Sequence, residues 1–373
     1  MRASALLATA VMALAACGGR GPTQPAAPSP LPSASPTPAS VHPVSGVVFY
    51  DENGNGSIDG GEDVRLPHVV VTMGGRSAES DADGSFTIAD VPAGTRPVEV
   101  RADSLPSYFR AGRLPTAGVP LPEGAKVPVP TVLPIAGNRP NVYLAFGDSI
   151  TSGDGSRGLR GYRASLQSQL RDYWGRAEII DDGVESTRSD DGAARIGGSL
   201  AAESPGWVLI EYGTNDWNLS ACRHVYSCFT ITNLQSMIRQ AKAAGTMPVV
   251  GTIIPANPAY VSRLPAERNA WIDETNAVIL TMARSEGAVV ADLNAAMRHE
   301  TEDLPTLFSD HVHPNDRGYA VMADEFFRAL TSPMGARPAS QGAARPADTL
   351  AWSVNRQRPR SVRDLRAWPS ARR

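Results

Sequence analysis

From Asn141 to about Leu330, short apolar runs alternate with longer stretches in which apolar residues recur at helical spacing. The strand-length runs are Val142–Phe146, Ala177–Ile180, Val208–Tyr212, Pro248–Ile254 and Ala288–Leu293. Between them, Tyr162–Trp174 sets Leu166, Leu170 and Tyr173 on one helical face, and Leu234–Ala244 and Ala266–Ser285 also read as helices. The last opens with Leu264-Pro265-Ala266, a sound helix start. Five strands alternating with helices predict an α/β fold whose parallel sheet is covered on both faces. Ligands of such sheets bind at the carboxyl ends of the strands.

The polar motifs fall at those ends. Ser149 lies in Phe146-Gly147-Asp148-Ser149-Ile150, directly after the first run. Gly183 and Gly213-Thr214-Asn215-Asp216 follow later runs, and Asp310-His311-Val312-His313-Pro314 comes near the end. A serine is a weak nucleophile and needs a base within hydrogen-bond reach. An imidazole supplies one near neutral pH, and a carboxylate orients it. Taken alone, Gly-Asp-Ser is a common turn. Its place between strand and helix, followed by three further motifs in order, is what makes it informative.

These four blocks resemble the SGNH (GDSL-type) hydrolase family. The resemblance implies a three-layer α/β/α sandwich with a parallel five-stranded, flavodoxin-like sheet. It implies Ser149 as nucleophile, His313 as general base and Asp310 as the carboxylate that orients it. The backbone N–H groups of Ser149 and Gly183 and the side-chain amide of Asn215 would form the oxyanion hole, with no cofactor for the chemistry. The family's Asp-x-x-His-Pro spacing selects His313 over the competing His311. One block departs from the pattern. The usual Asn-x-Gly is here Asp181-Asp182-Gly183-Val184-Glu185-Ser186-Thr187. A backbone donor survives that change, but the roles of Asp181, Asp182 and Glu185 stay open between repelling anions, binding sugar hydroxyls and simple solvation. Trp217 reads either as a stacking platform for substrate or as packing under the Cys222–Cys228 segment.

The remainder of the 373 residues organises around this region. Residues 1–16 carry Arg2 and a short apolar run, a signal-peptide pattern too short to span a bilayer. Leu14-Ala15-Ala16-Cys17 resembles the bacterial lipobox, which implies cleavage before Cys17, a lipid on its thiol, and a protein tethered to the membrane at the cell envelope. Residues 17–43 are dense in Pro, Ala, Ser and Thr and read as an extended tether. In an exported chain, the neighbouring Cys222 and Cys228 favour a disulfide. Residues 331–373, rich in Arg, Pro, Ala and Ser, read as a disordered tail.

Residues 44–133 read as all-β, with strands at 44–50, 69–73, 85–88 and 97–100 and turns at Asp83-Gly84 and Pro92-Ala93-Gly94. This order resembles adhesin B-type and carboxypeptidase-regulatory-like modules, which are small β-sandwiches. Its acidic loop runs Asp51 to Glu62 and fits a calcium-loop template. Asp51, Asn53, Asn55, Asp59, the Ser57 carbonyl and both oxygens of Glu62 would supply the hard oxygen ligands that Ca2+ requires. The flanks are strands, so the implied role is structural and confined to this module.

A net charge of -3 argues against a nucleic-acid binder held by phosphate contacts. The leading expectation is a membrane-tethered serine esterase that cleaves acyl or acetyl esters of carbohydrate or lipid through an acyl-enzyme. Two alternatives fit the same residues. One is a non-catalytic surface adhesin; the other is an acyltransferase using the same three residues.

Overall fold

A computed structural model describes residues 40–60, 64–226 and 228–333. Cys17 and Glu62 therefore lie outside the described residues, as do residues 1–39 and 334–373. The N-terminal part contains eight strands: Val41–Tyr50 (β1), Val70–Met73 (β2), Arg76–Glu79 (β3), Ser85–Pro92 (β4), Gly94–Val100 (β5), Arg110–Ala111 (β6), Thr116–Val119 (β7) and Val127–Val132 (β8). They form two four-stranded sheets, β4-β1-β8-β6 and β3-β2-β5-β7. In β4, Phe86, Ile88 and Val91 are buried while Thr87 is exposed, the period of a half-buried strand. Val44, Val48, Phe86 and Ile88 of one sheet share a core with Val71, Met73 and Val98 of the other.

Four of these strands escape the sequence pattern. The most instructive is β8, Val-Pro-Val-Pro-Thr-Val, because proline normally argues against a strand. It pairs in parallel with β1, and on its other side the short β6 meets only Thr131 and Val132, beyond both prolines. The missing N–H groups thus cost no pairing on the β6 side. The tether is also shorter than expected. Strand β1 starts at Val41, and Pro43 falls where its register with β4 shifts.

The C-terminal part begins with Arg139–Gly147 (β9), two residues ahead of the expected start at Asn141. Glu178–Gly183 (β10), Pro205–Glu211 (β11), Met247–Gly251 (β12) and Val289–Ala291 (β13) complete a five-stranded sheet of order β10-β9-β11-β12-β13. Every pair is parallel, and the order is that of flavodoxin-like sheets. Alternate residues of β9 face opposite layers. Tyr143 and Ala145 join the core built with Arg163–Trp174 and Asp316–Thr331, whereas Leu144 and Phe146 join Ser189–Glu203, Thr230–Ala243 and Pro265–Ser285. In chain order the helices are Ser149–Ser152 (α1), Arg163–Trp174 (α2), Ser189–Glu203 (α3), Thr230–Ala243 (α4), Pro265–Ser285 (α5), Leu293–Glu300 (α6) and Asp316–Thr331 (α7). The result is the expected three-layer α/β/α sandwich. Among the described residues no helix is long and apolar enough to cross a membrane.

Both parts fall in one compact unit, joined at the amino ends of the sheet strands. The Tyr108 hydroxyl lies 2.8 Å from Pro248 O and 3.1 Å from Gly287 O, and accepts from Val289 N–H. Phe109 packs on Trp174 at the end of α2, and Tyr108 packs edge-on to Trp207. The expected tail is ordered for its first residues. Thr331 closes α7, Ser332 O accepts from Ser107, and Pro333 bridges to Pro106. Composition alone marks these residues as loose, but contact with Pro106 and Ser107 of the β part holds them. The β part therefore sits at the end of the α/β sheet opposite the motifs described next.

Candidate active site

The chain leaves β9 through Gly147 and turns into α1 at Ser149. Asp148 caps this helix, its carboxylate accepting from Ile150 N–H at 2.9 Å. The turn is tightly sandwiched. A Cβ on Gly183 would meet the backbone of Ser152 and lie 2.9 Å from Asp148 O, so the end of β10 approaches α1 as only glycine permits. A Cβ on Gly155 would lie 3.0 Å from His313 Cβ and 2.6 Å from Pro314 O, and φ here is +87°. Two remote segments thus press against the serine turn, one through Gly183 of β10 and the other against Gly155 of the serine loop.

His313 stands on the loop before α7. Its Nε2 lies 2.9 Å from Ser149 Oγ, and its Nδ1 lies 2.7 Å from Asp310 Oδ2. Asp310 Oδ1 also accepts the N–H groups of Val312 and His313, each at 2.8 Å. Burial acts to raise the Asp310 pKa, but the hydrogen bonds from His313 and Val312 outweigh it and leave it below the ordinary carboxylate value. His311 points elsewhere. Its ring packs on Tyr260, and its Nδ1 is 3.7 Å from Asp310 Oδ1. Burial, aided by Arg268 and Arg263, lowers its pKa.

The expected oxyanion donors gather at the same end of the sheet, already engaged. Gly183 N–H donates to Asp181 Oδ1 at 3.1 Å. Asn215 Nδ2 donates to Thr187 O at 2.9 Å and to Asp148 Oδ2 at 3.2 Å. The acids of the divergent block are neutralised by arginines: Asp181 by Arg163 at 2.8 Å and Asp182 by Arg195 at 2.6 Å, while Glu185 is exposed. Trp217 is 5% exposed and lies under the guanidiniums of Arg223 and Arg268, which removes its reading as a substrate platform. Cys222 and Cys228 form a disulfide in the loop above it.

Several residues that support the site carry no sequence signal. Asp154 Oδ2 lies 3.9 Å from His313 Nε2, and its carbonyl accepts from the Tyr319 hydroxyl. Asn257 holds the histidine loop through Asp310 O and His311 O. Asp216, although inside a motif, acts as a clamp: it accepts from Ser189 N–H, Ser189 Oγ and Thr230 Oγ1, tying α3 and α4 to the Asn215 turn. Glu211, at the end of β11, is fully buried beside Asp148. Burial pushes the Asp148 carboxyl up to about 7, and burial plus Asp148 raise Glu211 well above its ordinary value.

In the acidic loop, Asp51 accepts from Asn55 and Gly56 N–H, and the amides of Asn53 and Asn55 donate to Asp59 Oδ2. Among the described residues no group of three or more His, Cys, Asp or Glu is placed to hold a metal ion.

A serine hydroxyl in line with an imidazole and a carboxylate can be deprotonated as it attacks an electrophilic carbonyl. Residues 145–321 match the GDSL-like Lipase/Acylhydrolase family. Over 212 residues the chain is 28% identical to an acetylxylan esterase of Geobacillus stearothermophilus, covering 50% of this chain and 92% of that protein. It is 32% identical over 121 residues to the esterase TesA of Pseudomonas aeruginosa, covering 32% of this chain and 58% of that one. It is 29% identical over 196 residues to thioesterase 1/protease 1/lysophospholipase L1 of Escherichia coli, covering 51% of this chain and 83% of that one. Residues 145–321 are accordingly a GDSL-like lipase/acylhydrolase domain, and the chain that carries it is an ester hydrolase.

Proposed function

We propose that Ser149, His313 and Asp310 are the catalytic residues of this ester hydrolase. The single observation that carries the reading is the short hydrogen-bonded series Ser149 Oγ, His313 Nε2, His313 Nδ1, Asp310 Oδ2. His313 takes the serine proton as Oγ attacks the ester carbonyl carbon. The C–O bond to the alcohol then breaks, and the imidazolium returns that proton to the departing alkoxide. Asp310 holds the ring and stabilises its charged form. Water, deprotonated by the same imidazole, releases the acid and restores Ser149. The negative oxygen of each tetrahedral intermediate is received by the N–H groups of Ser149 and Gly183 and by the Asn215 amide, which exchange their present partners for it.

The substrate is read as an acyl or acetyl ester of carbohydrate, with lipid esters as the second class. The first relative acts on acetylxylan by its name, and the Escherichia coli relative is named a lysophospholipase. Ser149→Ala should lower hydrolysis of 4-nitrophenyl acetate by several orders of magnitude while leaving the fold intact. Equal rates in both proteins would refute the assignment and favour the adhesin reading. Comparing acetate release from acetylated xylan with fatty-acid release from lysophospholipid separates the substrate classes.

Residues 44–133 and 141–330 are proposed as two domains, the first anchoring the second to the cell envelope through a tether and a lipid on Cys17. That reading rests on the sequence alone. Cys17→Ser should move the protein from the membrane fraction to the soluble one. A structural Ca2+ in the acidic loop rests on the sequence template and on the hard oxygens that Asp51, Asn53, Asn55 and Asp59 carry. Its test is thermal: calcium should raise and chelator lower the melting temperature, and an unchanged value would remove the ion.

A further inference from the structure

On the α5 side of the serine, positive charge is left without a partner. Arg268 of α5 is 3% exposed, yet its guanidinium makes one hydrogen bond, to Thr214 O, and otherwise faces the Trp217 ring, 5.2 Å from its central carbon. Its Nε has no hydrogen-bond partner among the described residues; neither have the buried Trp217 Nε1 and Thr214 Oγ1 beside it. Arg223, on the disulfide loop, covers the same indole at 4.9 Å. Arg263, ahead of α5, is close enough to act electrostatically on both Arg268 and His311. Asp148 and Asp310 act on Arg268 through space, but among the described residues none of these three arginines makes an ion pair within 4.0 Å.

The opposite flank behaves differently. There Asp181 and Asp182 are each matched by an arginine. The site is therefore neutralised on its β10 side and cationic on its α5 side. Leaving a buried guanidinium with an open donor is costly unless something completes it. Thr214 and Trp217 lie on either side of Asn215 in the chain, so the cluster packs on the Asn215 turn.

We propose that Arg268, Arg223 and Arg263 form a subsite for a carboxylate on the ester substrate. The preferred substrate is then an ester that is itself an acid, such as an acylated acidic sugar. A fork of guanidinium donors suits a planar carboxylate. The proposal rests on the serine-hydrolase reading above and narrows its substrate.

The test uses two substrate pairs matched in size. 4-Acetoxybenzoate is compared with 4-acetoxybenzamide, which places the charge on the leaving group. The 4-nitrophenyl monoester of adipic acid is compared with 4-nitrophenyl hexanoate, which places it on the acyl group. The full chain should favour the charged member of at least one pair in kcat/KM. Arg223→Ala and Arg263→Ala, both at exposed positions, should each reduce that charged-to-neutral ratio about tenfold, one charge-assisted contact being worth that much. Added salt should weaken the preference. Arg268→Gln should reduce it further, with circular dichroism reporting whether it folds. Absence of any preference, or a preference unchanged in both exposed variants, overturns the proposal. Failure of the underlying reading looks different: the neutral esters would then be cleaved equally by Ser149→Ala.

Discussion

Asp310 binds His313 twice, through the ring at Nδ1 and through the main-chain N–H, using a different carboxylate oxygen for each. One side chain thus fixes both the loop and the imidazole it presents to Ser149. Asp310→Asn keeps an acceptor for the backbone but can present an N–H to the ring, favouring the wrong tautomer. The expected loss in kcat is about 10^4-fold. His311→Ala, one residue away, should change kcat by less than about threefold, since its ring faces Tyr260. Steady-state rates on a neutral nitrophenyl ester check both.

Gly155 should be intolerant of a side chain although it lies in a loop. A methyl group there meets Ser309 Oγ, Pro314 O and His313 Cβ, and the positive φ adds strain. Displacing His313 by about 1 Å should cost about 10^2-fold in kcat, with little change in KM. A crystal structure of Gly155→Ala with His313 unmoved would refute this.

The buried pair Asp148 and Glu211 makes stability depend on pH. Both folded-state values are raised, so the native state holds protons that the unfolded chain has released. Their effect is absent below the ordinary carboxylate value near 4. It grows into a penalty as pH rises through neutrality. Glu211→Gln should therefore melt higher than the parent at pH 8 and converge with it near pH 4. Parallel melting curves at both pH values would refute the sign.

Tyr108 ties the β-sheets to the starts of β12 and β13. Tyr108→Phe should destabilise the protein by about 1–3 kcal/mol, since it strips buried backbone groups of their partner. Its hydroxyl is on the far side of the sheet from Ser149, so kcat should be unaffected. Denaturant unfolding beside a rate assay distinguishes the two effects.

The Cys222–Cys228 bridge closes a short loop that carries Arg223. Replacing both cysteines by serine should lower stability by about 2 kcal/mol from loop entropy. It should also lower the charged-to-neutral preference, because the guanidinium over Trp217 is freed. Reduction of the parent with dithiothreitol should reproduce both changes.

The α/β layers are legible because strand and helix periods are local and alternate along the chain; the parallel pairing follows from helical crossovers, whereas the strand order is implied only by the resemblance to the hydrolase family. Strands β3, β6, β7 and β8 were missed because they are short, polar or proline-bearing and form only against partners already in place. At the site, Gly147-Asp148-Ser149 and Asp310-x-x-His313 were readable, since each depends on spacing within a few residues.

Charge pairing was not readable in the same way. Asp181 and Asp182 look like an open acidic block until α2 and α3 bring Arg163 and Arg195 to them. Arg268 looks like a surface residue of an amphipathic helix until α5 packs it against Trp217. The sequence determined the kind of fold and the chemistry of its reacting groups, because both are written in short-range pattern. Only the tertiary structure decided which charges are matched, which aromatic is buried and where the β-sheets dock, because each depends on surfaces brought together from distant parts of the chain.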